Sequence, residues 1–236
     1  VFGYMDHNFL TLTESVTDHM ASPPAHLPRQ RLWKVRAAQT VLAQGAHERP
    51  LVFSGNDLPG VMMSGAVRTY INRYGVVPGN RTVVFTNNDD AYRTALALHT
   101  AGAHVLVVDL RRDLRGELVK SVRAAGIEVL SGHAVTIASG TQHLAHVEIA
   151  PVTEGGSAVL DDPFHMDCDL LAMSGGLSPA VHLHSQARGK LGWDERLLCF
   201  KPTTVHEASF NAGAGNGVFD TEKAIADGLK AGHAAV

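Results

Sequence analysis

A glycine-rich turn near the end of the chain has the residue types and spacing of a phosphate-binding loop. It runs from Gly213 to Gly217 with the sequence GAGNG, follows an apolar stretch that starts at Phe210, and precedes a helix predicted over residues 221–235. Glycines let the backbone approach a ligand closely, and the unpaired N–H groups of a helix N-terminus favour an anion. We therefore predict a phosphate-binding role for the residues Gly213, Ala214, Gly215, Asn216 and Gly217, with an ordinary loop as the competing interpretation.

Two other apolar segments end on glycine in a similar way. They are VLAQGAHERP, residues 41–50, and DLLAMSGGLSP, residues 169–179. In open α/β sheets, ligands bind beyond the carboxyl ends of the strands. The candidate ligand-binding positions in these segments are Gly45, Ala46, Arg49, Gly175 and Gly176. For each segment taken alone, a plain exit from a strand is the alternative.

The segment from Val83 to Arg112 has the layout of a βαβ dinucleotide-binding unit from which the glycines are missing. Thr86 and Asn88 stand where the first two glycines of G-x-G-x-x-G/A belong, and their side chains enter the space of a pyrophosphate. Asp89 and Asp90 lie at the start of the following helix, where carboxylates would cap it and repel a diphosphate. We predict that this unit is structural and that a dinucleotide binds elsewhere.

The remaining reactive side chains do not form a recognisable catalytic or metal-binding pattern. The chain has 14 histidines, and His182 and His184 would share one face of a strand, but a closed zinc site needs four ligands and no third is evident. Neither a G-x-S-x-G nor a C-x-x-C motif occurs. We predict no catalytic residue and no metal site, and we expect Cys168 and Cys199 to be buried structural thiols.

The elements that must position these residues alternate between strands and helices. Apolar periodicity predicts an exposed antiparallel start, and then helices and strands that an antiparallel meander over residues 134–151 interrupts. The predicted helices cover 61–74, 91–100, 114–125, 182–187 and 221–235, and the main predicted strands cover 32–35, 39–43, 82–85, 104–109, 127–132 and 169–174. This order indicates an α/β fold with a parallel sheet.

Composition indicates a globular protein. Of the 236 residues, 45% are hydrophobic and 18% are charged, and the formal net charge is -3. Without a basic surplus we expect no nucleic-acid partner, and without a long apolar run we expect no membrane partner. The few cysteines favour a reducing, cytoplasmic compartment. Because the first residue is valine, we expect a processed product or a piece of a longer chain.

Three stretches together resemble a known group of flavin- and pyridine-nucleotide-binding proteins related to glutathione and thioredoxin reductases. They are VLAQGAHERPLVF, DLLAMSGGLSPAVHLHSQARGKL and AGAGNGVFDTEKAIADGLKAG. Within that group, GAHERPLVF, RTYINRYGVVPG and SPAVHLHSQARGKL are similar to the alpha subunits of heterotetrameric sarcosine oxidase and to their opine oxidase and cyanide synthase relatives. The resemblance extends from about Phe2 to the end of the chain.

The resemblance implies two nested Rossmann-like domains. The outer domain would comprise residues 1–58 and 197–236, and an inserted NAD(P)-binding-like domain would comprise residues 59–196. The outer domain of the family also has a G-x-G-x-x-G unit upstream, which these residues lack, so we expect an incomplete outer domain.

The resemblance also implies the cofactors and partners. The outer domain would bind NAD, weakly or not at all in this piece, and FAD or FMN would lie mainly on, or be shared with, a beta-type flavin subunit. Flavin enzymes of the wider group have an aspartate where Ala214 stands, which favours NAD here. Leu177 replaces the tryptophan of the SGGW sequence of relatives. The substrate would be an amine such as sarcosine, demethylated oxidatively to glycine, and the isolated chain would be inactive.

Two alternatives to this function remain open. The chain could be a non-catalytic scaffold of such a complex, which the degraded turn at residues 86–91 favours and the glycine-rich tail opposes. It could also be a stand-alone FAD- or NAD(P)-dependent reductase, which the missing C-x-x-C motif and Ala214 oppose.

Overall fold

A computed structural model describes all of residues 1–236, and the chain forms two compact units. The central unit comprises Glu48–Gly176, and the flanking unit comprises Val1–His47 together with Leu177–Val236. The predicted α/β class is confirmed by a parallel sheet with helices packed on it. The central unit is inserted in the sequence of the flanking unit. The ligand assigned to each predicted domain stays a prediction.

The boundaries of these units lie earlier in the chain than the predicted boundaries 58/59 and 196/197. Residues 48–58 belong to the central unit because Phe53 packs into its core and Ser54 exchanges backbone hydrogen bonds with the strand around Ile137. Residues 177–196 belong to the flanking unit because Leu183 and Ala187 pack into its small core. Side-chain packing therefore sets the boundaries of the two units, whereas the domain division that the resemblance implies stays a prediction.

The central unit is built on a five-stranded parallel sheet. Its strands are β6 (Val61–Met63), β7 (Arg81–Thr86), β8 (His104–Asp109), β9 (Glu128–Ser131) and β13 (Leu170–Ser174). They lie in the sheet in the order β6-β13-β7-β8-β9. Its helices are α1 (Ser64–Tyr74), α2 (Ala91–Thr100) and α3 (Glu117–Ala124). The carboxyl ends of β7, β8 and β13 therefore lie side by side along one edge of the sheet.

Both faces of this sheet are covered, which explains its continuous apolar strands. Val84 on β7 packs with Tyr92, Leu98 and other residues of the helices, whereas the adjacent Phe85 packs on the opposite face. That opposite face is covered by an antiparallel sheet of β10 (His133–Ser139), β11 (His146–Pro151) and β12 (Phe164–Asp167). The alternation of side chains along β7 thus supplies both cores.

The flanking unit consists of small sheets and two helices. An antiparallel sheet contains β1 (Gly3–Met5), β2 (Phe9–Ser15) and β3 (Gln30–Arg36). Three strand pairs follow: β4 (Thr40–Leu42) with β17 (Ser209–Asn211), β5 (Ala46–Glu48) with β14 (Leu177–Pro179), and β15 (Lys190–Asp194) with β16 (Cys199–Thr204). The helices are α4 (His182–Gln186) and α5 (Thr221–Ala234). The β4–β17 pair is parallel and leads directly to two of the glycine turns.

Most of the predicted elements are confirmed, and α2 and β8 have the predicted bounds. Two helices start later than predicted. Residues 61–63 extend as β6 because Val61 pairs with Leu171 of the neighbouring strand, and α1 begins only at Ser64. The α3 helix begins at Glu117 instead of Leu114. The β15–β16 hairpin was not predicted from the sequence.

Candidate functional site

The glycine turn, residues 213–217, forms a single 3-10 turn between β17 and α5. Residues Gly213–Asn216 are in the 3-10 conformation, and Gly217 follows them with φ of 81°. Gly213 has φ of 62°. Both angles lie in the left-handed region, which residues with a side chain rarely adopt. Glycine is therefore required at both ends of the turn for conformational reasons alone.

The structure brings the turn at Gly45 and the glycine turn together, although about 170 residues separate them in sequence. Their strands pair in parallel, with Phe210 opposite Val41, and the amide of Ala212 donates to the carbonyl oxygen of Leu42 at 2.9 Å. A Cβ atom added to Gly215 would lie 3.5 Å from the backbone nitrogen of Gln44 and the carbonyl oxygen of Gly45. This juxtaposition is the one that the two strand-to-glycine motifs predict.

Two amide groups that were expected to receive an anion already bind carboxylates of the chain itself. Asp220 caps α5 by accepting a hydrogen bond from the amide of Lys223 at 3.0 Å. The amide of Gly213 donates to Asp227 at 2.9 Å. An anion at this turn would therefore have fewer free donors than the sequence pattern predicts.

A cavity of about 350 Å³ opens beside the glycine turn, between β17 and α5. Its wall is mainly apolar, with amide, carboxylate and ammonium groups around it. The lining residues are Val205, Ser209, Phe210, Asn211, Asn216, Asp227, Lys230, Ala231 and Ala234. Gly45 and Ala46 do not line this cavity. Ala46 lies in β5.

The other predicted ligand-binding residues, Arg49, Gly175 and Gly176, lie in the central unit and bind one another. The amide of Arg49 donates to the carbonyl oxygen of Gly176, and the amide of Gly175 donates to the carbonyl oxygen of Arg49, both at 2.8 Å. Gly176 has φ of 95°. A Cβ atom on Gly175 would lie 2.9 Å from the carbonyl oxygens of Arg49 and Pro50. Close backbone packing therefore accounts for these glycines, and their binding of a ligand stays a prediction.

The turn that lacks the fingerprint glycines is filled by its own side chains. The side-chain amide of Asn88 donates to the carbonyl oxygen and to the hydroxyl of Ser174, both at 3.1 Å. The Thr86 hydroxyl lies 3.2 Å from the same carbonyl oxygen. It also accepts a hydrogen bond from the backbone amide of Asn88 at 3.1 Å. These bonds join the carboxyl ends of β7 and β13, where the fingerprint glycines would leave room for a pyrophosphate.

Asp89 and Asp90 do not cap α2, and the prediction that they do was wrong. Asp90 itself has helical dihedral angles and its side chain makes no capping bond. Instead its carboxylate pairs with Arg68 at 3.0 Å and with Arg93 at 3.4 Å, while Asp89 pairs with Arg111 at 2.8 Å. Three nearby guanidinium groups attract these carboxylates away from the helix amides.

The carboxylate at the end of β8 is fully buried and is saturated by internal partners. Asp109 accepts hydrogen bonds from the hydroxyl of Tyr92 at 2.9 Å and from the guanidinium of Arg111 at 2.8 Å, and it also accepts from the Arg111 amide. Burial and the adjacent Asp109 raise the pKa of Tyr92 above its usual range. Burial alone would lower the pKa of Arg111, but the bonds and the charge of Asp109 raise it.

This network was not predicted from the sequence. In dinucleotide-binding units, an acidic residue at this strand end binds a ribose hydroxyl. Here the Arg111 guanidinium bridges Asp109 and Asp89, so the acidic group is already neutralised within the unit. The only feature of the local sequence that indicates this network is the arginine two residues after the aspartate.

The histidines and cysteines show no metal-binding or redox arrangement. No group of three or more His, Cys, Asp or Glu side chains in residues 1–236 is placed to hold a metal ion. His182 and His184 lie on α4 instead of a strand, so they do not share a face. The ring of His182 packs edge-on against the ring of His47, with 5.6 Å between the ring centroids, and His184 is buried. Both cysteines are buried, as predicted, and burial raises the pKa of Cys168 to about 12.

His184 has both ring nitrogens occupied. Its Nε2 donates to the carbonyl oxygen of Lys190 at 3.0 Å, which leaves Nδ1 to accept from the side-chain amide of Asn211 at 3.1 Å. The bond to Asn211 fixes the last residue of β17 next to the glycine turn. No helix of the chain is long and apolar enough to cross a bilayer.

Comparison with known proteins finds relatives over the whole chain, although no protein-family model matches. The chain is 41% identical over 238 residues to the sarcosine oxidase alpha subunit of Corynebacterium sp. (strain P-1), and the match covers 100% of this chain and 24% of that protein. It is 28% identical to the hydrogen cyanide synthase subunit HcnB of Pseudomonas aeruginosa, over 66% of this chain and 38% of HcnB.

A further relative is an opine oxidase subunit of Agrobacterium tumefaciens, which is 25% identical over 86% of this chain and 44% of its own length. The predicted resemblance to this group of proteins is confirmed. The chain spans only about a quarter of the length of the sarcosine oxidase alpha subunit that it matches.

Solved structures show the fold. The thioredoxin reductase of T. acidophilum superposes with a TM-score of 0.68 at 16% identity, covering 87% of this chain and 68% of the reductase. The thioredoxin reductase of Lactococcus lactis gives a TM-score of 0.64 at 18% identity, covering 87% and 66% of the two chains. The predicted thioredoxin reductase-like fold is confirmed by these superpositions.

Proposed function

Over its whole length the chain is homologous to a region of the sarcosine oxidase alpha subunits, and from that relationship we propose that it is the dinucleotide-binding part of an alpha-type subunit in a flavin-dependent amine oxidase complex. The bound dinucleotide is NAD. The amine substrate, sarcosine or a similar secondary amino acid, is oxidised at flavin that a beta-type partner subunit holds or shares.

The proximity of Gly215 to Gly45 is the observation that carries this proposal. Two parallel strands end side by side, and each is followed by a glycine turn. The turns are so close that a Cβ atom added to Gly215 would be in van der Waals contact with Gln44 and Gly45. Ligands bind at such carboxyl edges, where glycine backbones let a diphosphate come close. We propose that Gly45, Ala46 and the glycine turn line the NAD site. Arg49, Gly175 and Gly176 remain candidate ligand-binding residues of the central unit.

Ala214 supports NAD over flavin as the ligand. An aspartate at this position, as the resemblance implies for flavin enzymes, would bind the ribityl chain, and NAD has no ribityl chain. An alanine methyl group provides neither a hydrogen bond nor a charge. The chain thus would supply binding and orientation, and chemistry at the amine would belong to flavin in the complex.

The test is NAD binding to the native complex purified through this chain. We expect one NAD per copy of the chain, and Gly215→Leu should abolish binding because its side chain would meet the backbone of Gln44 and Gly45. Gly228→Leu on α5, where an added Cβ meets nothing within 4 Å, is the control and should bind normally. A folded wild-type complex that binds neither added nor co-purified NAD would refute the proposal.

A second candidate function, a scaffold without ligand, is favoured by one observation. The central unit fills its own nucleotide edge with the Asn88–Ser174 bonds and the Asp109–Arg111 pair. If the flanking unit were also empty, the complex would purify without NAD. Extraction of the purified complex with acid, followed by chromatography of the released nucleotides, distinguishes the two functions.

A further inference from the structure

Asp227 connects the middle of α5 to the glycine turn. It lies six residues after the first residue of the helix, almost two helical turns along it. One oxygen, Oδ2, accepts hydrogen bonds from the amide of Gly213 at 2.9 Å and from the side-chain amide of Asn216 at 3.2 Å. A single carboxylate therefore binds both the first and the last residue of the 3-10 turn.

The turn needs such a restraint because glycine has few conformational limits of its own. Three of its five residues are glycine, and two of them adopt left-handed angles. A free chain of this composition would sample many conformations, and a ligand would have to order it at an entropic cost. The two hydrogen bonds to Asp227 select one of these conformations.

From this geometry we infer that Asp227 is a positioning residue for the dinucleotide: it holds the glycine turn in the conformation that places Gly215 against Gly45. The inference rests on the proposed NAD site. Asp227 acts through the turn and not by contact with the phosphates, which its negative charge would repel. It also occupies the amide of Gly213, so a phosphate must use the donors that follow this residue.

Two substitutions separate this role from a general contribution to stability. Asp227→Ala removes the acceptor, whereas Asp227→Asn keeps an oxygen that can accept the same two bonds without the charge. The control is Glu222→Ala on the same helix, because Glu222 is exposed and its side chain makes no bond to the turn. Each variant is made in the native complex, and NAD affinity is measured by titration calorimetry.

We expect Asp227→Ala to weaken NAD binding tenfold or more, Asp227→Asn to restore affinity to within about threefold of wild type, and Glu222→Ala to have no effect. In the ligand-free protein, hydrogen exchange at the backbone amide of Gly213, which donates to Asp227, should accelerate in Asp227→Ala alone.

Normal NAD affinity in a folded Asp227→Ala variant would overturn the inference and leave the proposed function intact. An Asp227→Asn variant as weak as Asp227→Ala would overturn it as well, because the charge and not the restraint would then matter. Unchanged hydrogen exchange would show that the turn needs no restraint and would have the same consequence. Failure of the wild type itself to bind NAD would reject the proposed function and, with it, this inference.

Discussion

The phenol of Tyr92 donates a 2.9 Å hydrogen bond to the fully buried carboxylate of Asp109, and Arg111 neutralises that carboxylate from the other side. This arrangement occupies the strand end at which a dinucleotide-binding unit would present its acidic group to a ribose. Together with the Asn88–Ser174 bonds, it makes the nucleotide edge of the central unit part of its folded structure.

The first prediction concerns this edge. No pyrophosphate should bind at residues 86–91, because the Asn88 side chain fills the turn and Asp89 would repel phosphate. A crystal soaked in NAD or NADPH should show no density there. The double variant Asn88→Gly with Asp89→Asn removes both obstacles. If pyrophosphate binds at this turn in any of these proteins, it should bind only in the double variant. Pyrophosphate density at this turn in the wild type would show the prediction to be wrong.

The second prediction concerns Tyr92 and alkaline pH. The raised pKa of Tyr92 means that the folded state favours its neutral form. Its contribution to stability is complete below about pH 10, the ordinary tyrosine pKa, and is lost as the pH rises towards the raised value. The free energy of unfolding should therefore fall above pH 10, by at most about 1.4 kcal/mol per pH unit from this group.

Denaturant unfolding at several pH values checks this, with Tyr92→Phe as the comparison. The variant should be less stable by about 1–2 kcal/mol at neutral pH, since a buried acceptor loses one partner, and should lose less stability above pH 10. Cys168, with its pKa raised to about 12, adds an alkaline dependence that both proteins share. Parallel pH profiles for the two proteins would contradict the assignment.

The third prediction concerns Ala214. An aspartate there would add a negative charge near the phosphates of NAD, and at ~4–6 Å with an effective dielectric constant of ~20 the repulsion is on the order of 3 kcal/mol before screening. Ala214→Asp should weaken NAD binding by at least tenfold. Ala214→Asn, which has the same shape without the charge, should bind more tightly than Ala214→Asp. Equal affinity of the wild type and Ala214→Asp would place the dinucleotide away from the glycine turn.

The fourth prediction compares two glycines of the flanking unit. A methyl group on Gly189 would overlap the ring of His184, which its bonds to Lys190 and Asn211 hold in place. Gly189→Ala should therefore destabilise the protein by about 1–3 kcal/mol. Gly232→Ala on α5 has nothing within 4 Å of the added atom and should stabilise by up to about 1 kcal/mol. Thermal unfolding measures the change in the unfolding temperature of each variant relative to the wild type. Changes of the same sign in the two variants would contradict the prediction.

The fifth prediction is that the chain alone has no amine oxidase activity. No group of three or more His, Cys, Asp or Glu side chains is placed to hold a metal ion, and the proposed function assigns the flavin to a partner subunit. Oxygen consumption with sarcosine should remain at background for this chain with added FAD or FMN, and should appear with the complex. Turnover by the chain alone would remove the need for a partner subunit.

The local patterns of the sequence were sufficient to predict most elements and the class of the fold. The α2 helix and the β8 strand have their predicted bounds because apolar periodicity and a following Ala-Gly act within a few residues. The two glycine turns at Gly45 and Gly215 were also predictable as neighbours, since parallel strands present their carboxyl ends at one edge.

Partners that are distant in sequence were decided only by the tertiary structure. Asn88 bonds Ser174, which is 86 positions away, and Asp90 pairs with Arg68 instead of capping its own helix. The sequence identifies the polar groups at each turn, but it does not specify which of several nearby charges each will bind. That choice depends on distances that exist only once the sheets and helices have packed, because a polar group bonds to the partner that the packed structure places within about 3 Å.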